Sequence, residues 1–247
     1  MQINNLLGQI RELEERLKRS IEYWKYDTPV WSYETNSINY LAIGNSLTIV
    51  GGKWNRGACS TKPNNDYFGI VSDSLKSLSS HVHECSVVAY RYNFNIWERS
   101  PERNKVLDLL DFYLSPAIDI ISLQLGENVS QLDKTYEIDL QILVDYVRQA
   151  APKAQIVIID DFWDTNRSKV RQRVADKTNC LFADLASIRG KREYQSREGI
   201  VCYMIDGSME YVTKNAETHP GDEGMHFIAE SVLKQLRTHM NAKNGKK

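Results

Sequence analysis

The chain has 247 residues, of which 42% are hydrophobic and 26% are charged, and its formal net charge at pH 7 is −1. This composition is typical of a globular protein with one sizeable core, and it excludes disorder as the main state. The balanced charge gives no sign of a nucleic-acid partner, and no apolar run is long enough to cross a membrane. Because the first residues also lack a signal-peptide core, we expect a cytoplasmic protein without a membrane partner.

The first predicted element is an amphipathic helix, which with its linker spans residues 1–34. Its apolar residues follow alternating steps of three and four along one narrow seam, with Ser20 as the one gap: Ile3, Leu6, Ile10, Leu13, Leu17 and Trp24. Three heptads are the minimum for a coiled coil, so two interpretations stay open. The helix either joins copies of the chain into a homo-oligomer or packs on its own domain.

From residue 35 to 241 the sequence predicts one α/β domain. Short apolar runs alternate with longer segments of helical spacing, such as residues 132–150, and a terminal helix follows Asp222. The runs that we interpret as strands are 38–43, 85–90, 117–125, 155–160 and 180–185. This alternation predicts a three-layer α/β/α sandwich with a central parallel sheet. A further short strand is expected within 200–205, and residues 242–247 are predicted to be a disordered basic tail.

The loop after the first strand, "AIGNSLTIVGGKW", is consistent with a phosphate-binding loop, a serine nucleophile or an ordinary turn. A phosphate-binding loop requires glycine where Leu47 stands and Ser or Thr where Trp54 stands, so that motif fails twice. The dinucleotide-binding pattern of three glycines is absent as well. The four cysteines, Cys59, Cys85, Cys180 and Cys202, are scattered and show no metal-ligand spacing. We therefore expect neither a metal nor a cofactor.

Three polar residues follow strands or precede the last helix, and all are expected at one edge of the sheet. Ser46 lies in the first turn after a strand, Asn128 follows the third strand, and His219 precedes the terminal helix. Loops at the carboxyl ends of parallel strands converge. A hydroxyl, an amide donor and an imidazole at this edge would supply a nucleophile, an oxyanion donor and a base.

These three segments resemble the conserved blocks of the SGNH (GDSL-type) hydrolases. "GNSL" matches the first block with Asn45 in place of Asp, "GEN" matches the third block, and "HPGDEGM" matches the histidine block. The resemblance covers about four-fifths of the chain, from residue 39 to 240. It implies a flavodoxin-like SGNH fold and ester hydrolysis without a metal.

Carried over by position, the resemblance makes Ser46 the nucleophile and His219 the base. It assigns the oxyanion hole to the backbone N–H of Ser46 and the amide of Asn128. The family's third donor is usually a glycine N–H after the second strand. This chain has no glycine there, and we assign that donor to the N–H of Asn93.

The family's acid normally precedes the histidine by three residues, but this chain has Ala216 at that position. Three interpretations follow. A backbone carbonyl orients His219 in a Ser-His dyad, which we favour; Glu217 or Asp206 supplies a carboxylate from another direction; or the protein is a weak or inactive relative.

The expected substrate is a small carboxylic ester or an acylated carbohydrate. Trp54, Trp97 and Trp163 each follow a predicted strand, and indole faces stack on sugar rings, so these residues are candidates for substrate contact. Packing of the loops is the alternative role for each. A thioesterase, a general small-ester hydrolase and a catalytically inactive binding module joined through the N-terminal helix also fit the sequence.

Overall fold

The protein is described by a computed structural model that covers residues 32–51, 54–82, 86–130 and 133–244. The predicted N-terminal helix, and with it the proposed self-association through that helix, lies outside the described residues.

Within the described residues, five parallel strands form the central sheet, which confirms the predicted fold class. The strands are β1 (Ser37–Gly44), β2 (Ser86–Asn93), β3 (Ile120–Gln124), β4 (Gln155–Ile159) and β5 (Leu181–Ala183). Their order in the sheet is β2-β1-β3-β4-β5. The strand order reverses beside β1, and ligands of such sheets bind at the carboxyl ends of the strands near that point.

Helices cover both faces of this sheet. They are α1 (Tyr67–Val82), α2 (Asn95–Arg99), α3 (Tyr136–Ala150), α4 (Thr165–Thr178) and α5 (Asp222–Asn244), and a 3-10 segment spans Arg103–Phe112. Successive side chains of a strand point to opposite faces. Accordingly Leu41 and Ile43 join the core under α3 and α4, whereas Tyr40 and Ala42 join the core under α1 and α5.

The terminal helix α5 is longer than the sequence pattern indicates. It continues to Asn244, into the segment predicted to be a disordered tail, of which residues 245–247 lie outside the described residues. Its apolar stripe packs against the sheet, and Met225, Ile228 and Val232 are completely buried. Among the described residues, no helix combines the length and the apolar character needed to cross a bilayer.

A small antiparallel hairpin stands apart from the main sheet. It pairs β6 (Val201–Tyr203) with β7 (Met209–Tyr211), where the sequence predicted a single strand. A separate apolar cluster joins the hairpin to the loop after β1, through Cys59, Cys202, Met204 and Val212. The hairpin therefore packs beside the loop that carries Ser46.

Candidate active site

The turn that carries Ser46 begins where β1 ends. A Cβ atom on Gly44 would lie 1.9 Å from Thr48 Oγ1 and 2.8 Å from the carbonyl oxygen of Gln124, so only glycine fits there. The N–H groups of Thr48 and Ile49 both donate to the carbonyl oxygen of Asn45 at 3.0 Å. This tight turn leaves Ser46 partly exposed at the edge of the sheet.

His219 lies opposite this turn and is fixed through its backbone. Its carbonyl oxygen accepts a hydrogen bond of 2.7 Å from the N–H of Ser196. Its Nε2 lies 3.4 Å from Ser46 Oγ, although 173 residues separate the two in the chain. Hydrogen bonds between catalytic groups are often long before substrate binds, so this separation permits proton transfer once the site closes on a substrate.

The other ring nitrogen, Nδ1 of His219, lies 3.1 Å from the carbonyl oxygen of Ala216. A carbonyl oxygen can only accept, so Nδ1 must carry the proton of the neutral imidazole. Nε2 then presents its lone pair to the Ser46 hydroxyl. The geometry is that of the favoured alternative, in which a backbone carbonyl orients the histidine.

Neither predicted carboxylate takes this role. Glu217 is bound by Lys214 at 2.5 Å and by Arg192 at 3.2 Å, and Asp206 accepts hydrogen bonds from Ser208 within the β6–β7 turn. The prediction that Glu217 or Asp206 orients the imidazole is therefore wrong. The N–H of His219 also donates to the Ala216 carbonyl oxygen at 3.0 Å, so this oxygen is bonded to both the backbone and the ring of His219.

Burial sets the protonation state of the histidine. Desolvation lowers the pKa of His219, and the hydrogen bond to Ala216 opposes this shift only in part. Burial disfavours the charged imidazolium, and in the described part of the chain no carboxylate contributes to the shift. His219 is therefore neutral at pH 7, which is the form that a general base needs.

Asn128 lies across the sheet edge on the turn that follows β3. Gly126 has a φ of +124°, a conformation that side chains disfavour. The Asn128 amide donates to Glu98 Oε2 at 2.7 Å and to Asn95 Oδ1 at 3.0 Å. Both hydrogens of the Asn128 amide are thus donated, and the hydrogen bond to Asn95 is exposed to solvent.

Glu98 is the centre of this network, and sequence reasoning missed it. Its side chain is 2% exposed, and it accepts hydrogen bonds from the amides of Asn45 and Asn128 and from the N–H of Gly126. A buried carboxylate with several donors fixes the donors in place. No pattern in the sequence identifies it, because its partners come from two other loops.

The same network explains why Asn45 replaces the aspartate that the resemblance leads one to expect. The Asn45 amide donates to Glu98 at 3.0 Å and to Glu127 at 2.8 Å. An ionised aspartate could only accept hydrogen bonds, and it would place a third carboxylate beside those of Glu98 and Glu127. Arg171, completely buried, holds Glu127 from the other side at 2.9 Å.

The remaining predicted oxyanion donors lie at this same edge. Asn93 pairs with Gly44 in the sheet. Its side-chain amide donates to the carbonyl oxygen of Ile49, and its Oδ1 accepts from the N–H of Asn95. In the part of the chain that the structure describes, no acceptor is bonded to the N–H of Ser46. The assignment of the Asn93 N–H to the third donor stays a prediction.

The three tryptophans have different surroundings. Trp97 is 0% exposed within the core, so the prediction that it contacts substrate is wrong, because α2 turns it inward. Trp163 lies beside the base: its ring meets that of His219 edge-on at 5.5 Å between centroids, and its Nε1 donates to the carbonyl oxygen of Thr218 at 2.9 Å. Trp54 is half-buried in the loop after Ser46.

Comparisons with solved structures show the fold. A Parabacteroides merdae protein described as a GDSL-like lipase has 16% identity and a TM-score of 0.52, over 84% of this chain and 98% of its own. A phospholipase A1 from Streptomyces albidoflavus has 13% identity and a TM-score of 0.52, over 81% of this chain and 99% of its own. An acetylxylan esterase from Geobacillus stearothermophilus has 18% identity and a TM-score of 0.50, over 83% and 96%.

The chain therefore has the fold of the SGNH (GDSL-type) hydrolases. A scan against protein-family models finds no match, and a search of curated proteins finds none either.

Proposed function

We propose that the protein is a serine esterase that hydrolyses carboxylic esters through a Ser-His dyad. One observation carries the proposal: His219 Nε2 lies 3.4 Å from Ser46 Oγ while Nδ1 lies 3.1 Å from the Ala216 carbonyl oxygen. This tautomer makes the imidazole an acceptor toward the hydroxyl.

Acylation begins when Ser46 Oγ attacks the ester carbonyl carbon and its proton moves to His219 Nε2. The imidazolium then gives that proton to the leaving alcohol oxygen, and an acyl-Ser46 ester remains. A water molecule next attacks the acyl carbon, gives its proton to Nε2 and releases the carboxylic acid as the proton returns to Ser46.

The oxyanion would bind where three donors meet. The N–H of Ser46 is one donor, and the amide of Asn128 is the second. The oxyanion would replace Asn95 Oδ1 as the acceptor of one Asn128 hydrogen, while Glu98 keeps the other hydrogen and holds the amide in position. Each such donor contributes roughly 10²–10³ in rate. The N–H of Asn93 remains the candidate for the third position.

A carbohydrate is our candidate for the alcohol part of the ester. Trp163 is half-buried against His219, and a sugar ring could stack on its remaining exposed surface. The similarity in fold to an acetylxylan esterase is consistent with this class of substrate. Trp163→Leu should then lower kcat/KM for acetylated xylo-oligosaccharides more than for p-nitrophenyl acetate. Equal losses on both substrates would remove the carbohydrate candidate.

The test of the esterase is turnover of p-nitrophenyl acetate together with labelling by a fluorophosphonate, which modifies activated serines. The wild-type protein should do both, and Ser46→Ala should do neither. Ser187→Ala is the matched control, because this serine is exposed and lines a different recess, beside Phe227 and Glu230. Equal background turnover and labelling in all three proteins would overturn the proposal. The interpretation as an inactive binding module would then stand.

A further inference from the structure

An apolar recess that is partly open to solvent lies beside the segments that carry the dyad. Its volume is about 160 Å³, and apolar atoms make up almost all of its wall. Its wall includes Trp54, Ala58 and Cys59 from the loop after β1, Tyr211 at the end of β7, and Val212 and Ala216 from the segment that follows β7. We call this recess the side pocket.

The side pocket shares two residues with the framework of the dyad. The N–H of Ala58 donates to the carbonyl oxygen of Ser46 at 2.7 Å, and the carbonyl oxygen of Ala216 is the partner of His219 Nδ1 at 3.1 Å. Two wall residues are therefore hydrogen-bonded directly to dyad residues, Ala58 to the backbone of Ser46 and Ala216 to the imidazole of His219.

Among the residues that the structure describes, the wall has no charged side chain that would favour a polar ligand. Burial raises the pKa of the Cys59 thiol to about 12, so the sulfur stays protonated, and it donates to the Ala216 carbonyl oxygen at 3.3 Å. Cys59 has a φ of +64°, a conformation that is rare for residues with a side chain.

We propose that the side pocket binds the acyl chain of the ester, and that the preferred acyl group has about four to six carbons. This inference rests on the proposed esterase function. Apolar cavities of roughly 150 Å³ hold a benzene-sized group, and the side pocket has a similar volume of about 160 Å³. An acetyl group would leave most of this space empty, and a chain much longer than six carbons would protrude past Tyr211, which is 59% exposed at the rim.

The test is the dependence of kcat/KM on chain length for p-nitrophenyl acetate, butyrate, hexanoate, octanoate and decanoate, which share one leaving group. Burial of each methylene should add up to about fourfold. We expect kcat/KM to rise by about tenfold to 100-fold from acetate to hexanoate and to gain nothing more at octanoate. A profile that is flat, or highest at acetate, would overturn the side pocket as the acyl site.

Two variants locate the effect. Ala58→Leu fills the side pocket, and Tyr211→Ala removes its exposed rim, so each should lower the hexanoate-to-acetate ratio of kcat/KM by about tenfold. Ala186→Leu is the matched control, because it makes the same change at an exposed position. Unchanged ratios in both pocket variants would contradict the inference.

These outcomes are distinguishable from failure of the esterase itself. If no ester is cleaved faster by the wild type than by Ser46→Ala, the proposed function fails. If acetate is cleaved in a Ser46-dependent way but chain length has no effect, the esterase stands and the side pocket is not its acyl site.

Discussion

Nδ1 of His219 is bonded to the carbonyl oxygen of Ala216, the residue at the position where the sequence resemblance to SGNH hydrolases leads one to expect the acid. A carbonyl dipole orients the ring but stabilises an imidazolium less than a carboxylate does. With burial lowering the pKa of His219, the acid limb of the pH profile should lie below the ordinary imidazole pKa.

Ala216→Asp should move this acid limb to higher pH. A nearby carboxylate favours the protonated imidazole and so raises the pKa of His219. The neutral base then forms only at a higher pH. Ala216→Asn is the control with the same shape and no charge. The measurement is kcat/KM for p-nitrophenyl acetate against pH. Coincident acid limbs in the two variants would argue against His219 as the titrating base.

Asn45→Asp should destabilise the protein increasingly as the pH rises. The new carboxyl would face Glu98 and Glu127 in a buried cluster, so its pKa in the folded state would exceed that in the unfolded state. Stability is then lost as pH rises through that folded-state pKa. We expect a loss of about 1–3 kcal/mol from the broken hydrogen bonds, with a larger loss above neutral pH.

Thermal unfolding from pH 5 to pH 8 measures this effect. Asn104→Asp adds the same charge at an exposed position and should follow the wild type. A difference in Tm between Asn45→Asp and wild type that stays constant with pH would show that the two glutamates do not oppose a third carboxylate.

Glu98→Gln should lower kcat by about 10²-fold with little change in KM, because the oxyanion donor acts mainly in the transition state. If Glu98 acts through Asn128, the double variant Glu98→Gln/Asn128→Ala should be no slower than Asn128→Ala alone. Glu102→Gln, with its side chain 62% exposed, is the control. Additive losses in the double variant would show that Glu98 does not act by holding Asn128.

The framework of the fold could be predicted because its signals are local. Apolar runs separated by helical spacing indicated all five strands of the sheet, including β1 and β4. The second strand of the β6–β7 hairpin was missed, since Met209–Tyr211 has only three residues and two of them are exposed.

The site was only partly predictable, because its remaining parts are set by tertiary contacts. The proximity of Ser46 and His219 follows from the convergence of loops at one sheet edge. The orienting group is a backbone carbonyl, which no residue type reveals. No motif singles out Glu98, and Trp97 was a candidate for substrate contact, yet α2 turns both into the core.

The most direct test is whether an ester substrate acylates Ser46. After rapid mixing with p-nitrophenyl butyrate and acid quenching, we expect a burst of p-nitrophenolate equal to the enzyme concentration. Peptide mass mapping should find the butyryl group on the peptide that contains Ser46, and none on that peptide in Ser46→Ala. Turnover that persists in Ser46→Ala, or an acyl group found on another residue instead, would contradict the account.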